Sequence, residues 1–170
     1  MRIGIDIDET LVNTEDSFKR IVDKYHLNIK CKYRDIWTKD EFSILYPYFT
    51  EMLGNVNLKA NAKEVIKKLT NLGHELYIIT ARSNKHSARI EEVTLDMLDK
   101  KSIDVKKVYF GEDKKSALAK KLKLDLMIDD SEYVYKNMLK EGIDCILFGD
   151  KIKNWNEVLD YINRKESKDG

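Results

Sequence analysis

Proline is almost missing from this chain of 170 residues: Pro47 is the single instance, and it decides little alone. Cysteine is nearly as scarce. Cys31 and Cys145 stand far apart with no metal-type spacing, so a reduced, cytoplasmic setting is expected. The three histidines, His26, His74 and His86, form no motif. Neither sign of charge prevails, since 31 Lys and Arg against 30 Asp and Glu leave a formal net charge of +1. A dominant basic face for a nucleic acid polymer is therefore not indicated. No apolar run reaches the roughly 18 residues that a membrane span needs. Asp6, Asp8 and Glu9 interrupt the first apolar stretch too early for a signal peptide. Repeats and low-complexity tracts are absent.

What is present is a chain long enough to bury a real core, with 42% apolar residues. One domain, with room for a modest insertion, is expected. After residue 60, short apolar runs alternate with helical patterns. Residues 61–73 carry Ala62, Val65, Ile66, Leu69 and Leu72 at helical spacing, and Gly73 is a plausible stop. A strand is expected over 75–80, then a helix over 86–101 with Ile90, Val93, Met97 and Leu98 on one face. Strands follow at 107–110, 125–129 and 143–148, with helices at 114–122 and 131–142 between them. Trp155, Val158, Leu159 and Ile162 mark a closing helix, and the residues from Arg164 to Gly170 read as a frayed tail. A repeating βα unit predicts an α/β fold: a doubly wound, mainly parallel, Rossmann-like sheet covered by helices on both faces.

The stretch from 13 to 58 breaks that rhythm. It opens as a helix, with Phe18, Ile21, Val22 and Tyr25 on one face, and continues without a credible central strand. It reads as a small, mostly helical insertion, leaving 1–12 and 59–170 as the core.

The polar oddities fall at the carboxyl ends of the strands, where open α/β sheets bind ligands. The first strand ends in Asp6, with Asp8 just beyond; the second ends in Thr80, before Ala81 and Arg82; the fourth ends in Asp129 and Asp130. Two unit charges ~4 Å apart repel by roughly 4 kcal/mol at an effective dielectric near 20. Converging carboxylates therefore need protons or a cation. With no His or Cys partner, the set suits Mg²⁺ better than zinc. A lysine from "EDKK", Lys114 or Lys115, could add a second positive charge. One arrangement uses every part: Asp6 as nucleophile toward phosphorus, Asp8 as acid and base, and the positive groups on the equatorial oxygens.

At this point "DIDET" resembles the DxDxT signature of the haloacid dehalogenase-like phosphohydrolases. Thr80, a lysine ahead of strand four, and "IDD" are similar to that family's second, third and fourth motifs, in order and across nearly the whole chain. The resemblance implies Asp6 as nucleophile, Asp8 as acid/base, Thr80 and Lys115 as phosphate contacts, and Mg²⁺ on Asp6, Asp129 and the main-chain carbonyl of Asp8. Lys115 is favoured over Lys114 because its spacing to "IDD" looks more like that of short family members. Asp130 could hold the lysine or a metal-bound water. Ala81 and Arg82 count among the substrate-binding residues, although for Arg82 surface ion pairing is an equal reading.

The insertion resembles the small cap that many family members place over the site. Its aromatic rings, Phe18, Trp37, Phe42, Tyr46, Tyr48 and Phe49, could stack on a nucleobase or form the core of a small cap. The layout, with "TAR" and "IDDS", resembles the cytosolic 5'(3')-deoxyribonucleotidases and their bacterial relatives. A small phosphomonoester, preferably a nucleoside monophosphate, is the implied substrate, with no nucleic acid polymer and no membrane as partner. A sugar phosphate is the alternative within the class, and a receiver-like phospho-acceptor module the alternative outside it. No oligomeric state follows.

Overall fold

The computed structural model describes residues 1–169. Among these, five strands form one parallel sheet: β1 (Arg2–Ile5), β2 (Glu75–Ile79), β3 (Lys107–Tyr109), β4 (Leu126–Asp129) and β5 (Asp144–Leu147). Their order is β3-β2-β1-β4-β5, with every neighbouring pair parallel. Side chains alternate across a strand, and both rows here are apolar. Ile3, Ile5, Leu76, Ile78, Leu126 and Ile128 enter one buried cluster, whereas Tyr77, Ile79 and Met127 enter another. The first cluster is covered by α4 (Ala62–Asn71), α5 (Ile90–Lys100) and α8 (Trp155–Asp169). The second is covered by α6 (Ser116–Leu122) and α7 (Glu132–Lys140). Burial on both faces is why the strands read as near-continuous apolar runs.

The element ends differ from the periodic reading by a few residues. Helix α4 stops at Asn71, with Leu72 exposed and Gly73 in the left-handed region at φ +85°. Helix α5 begins at Ile90, not at 86, because Arg89 takes a left-handed conformation at φ 65°. Thr94 is buried there, and Val93 is only partly covered. Helix α6 begins at Ser116, which leaves Lys115 outside it. The closing helix runs on through Asp169, so the expected frayed tail is helical; Gly170 lies outside the described residues.

Between β1 and α4 the chain is helical: α1 (Thr14–Lys24), a 3-10 turn (Tyr33–Thr38), α2 (Phe42–Leu45), a second 3-10 turn (Tyr46–Tyr48) and α3 (Phe49–Gly54). Phe18, Ile21, Ile36, Leu45, Phe49, Met52 and Leu53 make a core of their own, joined from the sheet side by Ile90. The chain leaves and returns through one crossing. Asn13 N donates to Asn57 O at 2.8 Å, and Lys59 N donates to Leu11 O at 2.8 Å. Helix α3 lies against α5 at Gly54, where an added Cβ would come 2.7 Å from Val93 Cγ1.

The strand order separates two sequence expectations. A receiver-type sheet runs 2-1-3-4-5, and this sheet runs 3-2-1-4-5. The receiver-like alternative is therefore set aside.

Candidate active site

The strand order reverses between β1 and β4, since the chain passes from β3 at one edge across to β4. A crevice opens outside the carboxyl ends at such a point. Ile5 pairs with Ile128, and Asp6 N donates to Ile128 O at 3.0 Å. This register sets Asp6 beside Asp129. Asp6 follows Gly4 and Asp129 follows Met127 on the face covered by α6, so both carboxylates meet the residue that precedes that helix.

That residue is Lys115, only 4% exposed. Its Nζ donates to Asp6 Oδ1 at 2.5 Å and to Asp129 Oδ2 at 2.7 Å. Its backbone is left-handed, φ 59°, a conformation that costs a non-glycine residue of order 1 kcal/mol and often marks a functional position. Lys114 is exposed. The two lysines diverge through this backbone twist, not through helical geometry.

The charges are uneven. Burial pushes Asp6 well above the usual carboxylate range, and the Asp129 and Asp8 charges add to it, against the pull of Lys115. Burial and the Asp129 charge push Asp130 up to about 6. For Lys115, burial alone would lower the ammonium; Asp6 and Asp129 more than offset it and hold it above its usual range. Carboxylate oxygens of Asp6, Asp129 and Asp130 lie within 4.8 Å of one another. Three crowded acids beside one ammonium, with two carboxyls displaced upward, fit a hard divalent cation. The Asp8 side chain is not in this group.

Asp8 instead faces Arg82. The guanidinium holds it in a two-pronged grip, Nη2 to Oδ1 at 2.8 Å and Nε to Oδ2 at 3.0 Å. Thr14 Oγ1 also donates to Asp8 Oδ1, at 2.5 Å. Burial alone would raise this carboxyl, but the Arg82 charge and these hydrogen bonds hold it below the usual range. Arg82 is buried, and Nη1 donates to Leu53 O and Thr94 Oγ1. It is neither a surface ion pair nor a wall of the cavity.

The cavity above these acids measures about 980 Å³. Asp6, Asp8, Ala81, Lys115, Asp129 and Asp130 line it; Thr80 and Arg82 do not. Thr80 is buried, and its hydroxyl accepts from Arg82 N at 3.1 Å. The insertion contributes Glu15, Tyr33 and Arg34 to the wall, and Tyr33 and Arg34 were not legible as site residues. Burial, with the Asp8 charge, pushes the Tyr33 phenol well above its usual range. None of the six rings named from the sequence lines the cavity. Trp37, Phe42 and Phe49 pack on one another with centroids 5.2–5.4 Å apart. Phe49 is core and Phe42 packs against it, whereas Trp37 is 41% exposed; none of the three faces the cavity. No periodic signal could have singled out Tyr33, which sits on a 3-10 turn.

No protein-family model matches this chain. A curated protein of Oceanobacillus iheyensis, named "Putative nucleotidase OB0422", is 25% identical over 187 aligned positions covering 95% of each chain. Solved structures share the fold. The "putative HAD-hydrolase YfnB" of Bacillus subtilis, solved bound to magnesium, superposes with a TM-score of 0.67 at 14% identity over 95% of this chain and 98% of its own. A "predicted phosphoglycolate phosphatase" of Haemophilus somnus gives 0.65 at 19% identity over 94% and 96%. A HAD-superfamily hydrolase of Geobacter sulfurreducens gives 0.64 at 13% identity over 95% of both.

Proposed function

We propose that this chain, which has the fold of the haloacid dehalogenase-like hydrolases, is a Mg²⁺-dependent phosphatase of small phosphomonoesters. One observation carries the reading: Asp6, buried at the end of β1, lies 2.5 Å from Lys115 and beside Asp129 on the floor of the cavity. Asp6 is thereby held at the cavity floor among three acids and one ammonium, a set that a divalent cation would complete.

Asp6 attacks phosphorus, and its new P–O bond forms as the bond to the leaving oxygen breaks. The negative phosphoryl group arriving beside Asp8 favours its protonated form against the pull of Arg82; Asp8 then gives that proton to the leaving oxygen and takes one back from the water that cleaves the aspartyl-phosphate. Lys115 balances charge on the phosphoryl oxygens, with the main-chain NH of Ala81, on the cavity wall, as a further donor. Thr80 supports the Ala81–Arg82 turn through its hydroxyl. Asp6, Asp129 and Asp130, with the main-chain carbonyl of Asp8, would hold Mg²⁺. When bound, that ion supplies positive charge to the phosphoryl oxygens.

Residues 13–58 act as the cap, with 1–12 and 59–170 as the catalytic core. Nucleoside monophosphates are the proposed substrates. The curated relative's name supports this, as does Tyr33, one aromatic ring placed on the cavity wall by the cap. Among the described residues no helix is long and apolar enough to cross a membrane. Cys31 and Cys145 are both free thiols, which suits a cytoplasmic setting.

The test is turnover of a phosphomonoester panel with MgCl₂, including nucleoside monophosphates, sugar phosphates and p-nitrophenyl phosphate. Asp6→Asn should lower kcat by ~10³-fold or more while the melting temperature changes little. Near-wild-type turnover by this variant rejects Asp6 as nucleophile. Turnover of sugar phosphates without nucleotides removes the nucleotide part alone.

A further inference from the structure

The phosphatase reading gives Asp8 a proton to deliver and a proton to remove, and leaves open what aims it. Asp8 sits just past the strand, on a turn closed by the main chain, Val12 N donating to Ile7 O and Glu9 N to Val12 O, each at 3.0 Å; those bonds set its backbone and not its carboxylate. Glu9 on that turn is left-handed, φ 60°. The side chain depends on other contacts for its orientation.

Those contacts can be counted. An ionised carboxylate offers about four lone-pair sites, two on each oxygen. Oδ1 accepts from Thr14 Oγ1 and Arg82 Nη2, whereas Oδ2 accepts from Arg82 Nε alone. One site on Oδ2 is left. Arg82 is itself fixed from behind: Nη1 donates to Leu53 O at 3.3 Å and Thr94 Oγ1 at 3.0 Å. Leu53 belongs to α3 and Thr94 to α5. The fork on Asp8 is therefore braced where the insertion seats on the core.

We infer that Arg82 is the positioning residue for Asp8: its bidentate grip fixes the carboxylate plane and leaves Oδ2 as the oxygen that exchanges protons with substrate and water. This inference rests on the phosphatase reading. It departs from the sequence expectation that Arg82 contacts substrate, because four of its five N–H groups are already directed to Asp8, Leu53 and Thr94. A lysine keeps the charge but cannot form the fork.

The experiment is a double-mutant cycle on p-nitrophenyl phosphate with MgCl₂, using wild type, Arg82→Lys, Asp8→Asn and the double variant. Thermal melts confirm that each is folded. Arg82→Lys should lower kcat by ~10²-fold, the scale of a misplaced reacting group, with KM nearly unchanged. In the Asp8→Asn background the same change should alter kcat by less than about twofold, because a residue acting through Asp8 has nothing left to act on. Arg82→Ala, if folded, should regain part of its kcat with added guanidinium. A rise in KM and in the inhibition constant for inorganic phosphate, at constant kcat, makes Arg82 a phosphate contact and overturns the inference. So do losses that multiply in the double variant, which indicate a structural role. Absence of turnover by the wild type on every phosphomonoester is a different result, because it removes the phosphatase reading itself.

Discussion

Asp130 is where the crowding of charge can be measured on a single residue. Its carboxyl rises from an ordinary 3.8 to about 6 through burial and the Asp129 charge. The folded chain therefore keeps this proton to higher pH than the unfolded chain does. Between those two values the folded state binds more protons, so the group's contribution to stability falls as pH rises through the window. Asp130→Asn removes the titration while keeping an acceptor for Thr10, whose hydroxyl lies 3.3 Å away. In metal-free buffer the wild type should lose melting temperature relative to the variant between about pH 4 and pH 7, and regain it with MgCl₂ at the higher pH. A difference that stays flat with pH rejects the account. The acids themselves were legible in the sequence because each ends an apolar run, and strand ends meet in a parallel sheet. The mate of Asp8 was not. Arg82 lies 74 positions away, and their meeting depends on the backbone of the turn after β1, which no spacing rule encodes.

Elements repeat this pattern at larger scale. The βα units after residue 60 were readable because burial on both faces leaves apolar strands between amphipathic helices. The insertion was readable only as helical. Its first 3-10 turn holds Tyr33 and Arg34 in places that period 3.6 does not predict. Lys115 shows the same limit: its left-handed backbone ahead of α6 directs it into the site, whereas the helix expected over 114–122 placed it within the helix. The seating of the insertion is also non-periodic, since it turns on Gly54 against Val93. Val93 is β-branched and stiff, so it yields little to an intruding side chain. Gly54→Val should cost about 1–3 kcal/mol by overpacking. It should also lower kcat/KM for phosphomonoesters, because α3 carries the Leu53 carbonyl that braces Arg82. Melting curves and steady-state kinetics on the purified variant check both. Unchanged stability with unchanged kinetics places the α3–α5 contact outside the working of the site.

Over the whole molecule the charges nearly cancel, at a formal net +1, but they are not evenly spread. Nine carboxylates and four basic side chains line the cavity. Two of the four bases are already paired, Lys115 with Asp6 and Asp129, and Lys59 with Glu9 at 2.9 Å. Arg34 and Lys153 are the other two. The proposed cation on the floor would compensate the acids nearest the phosphoryl group, yet Glu15, Asp113 and Asp150 on the wall remain, beside Glu132, which pairs with Lys136 at 3.4 Å. A substrate with one phosphoryl group and an uncharged remainder would meet that cation at the floor and little repulsion above it. A second phosphate on the same substrate would sit among those wall carboxylates. The repulsion need reach only about 1.4 kcal/mol to cost tenfold. A nucleoside 5'-monophosphate should thus exceed the matching 3',5'-bisphosphate in kcat/KM by ~10-fold or more at low salt. Added salt should narrow the gap, since charges on an open wall are screened over about 10 Å at 0.1 M. Equal turnover of the two at low ionic strength, or a preference for the bisphosphate, would show that Arg34 and Lys153 outweigh the acids, and the cavity would then be a site for substrates with two anionic ends.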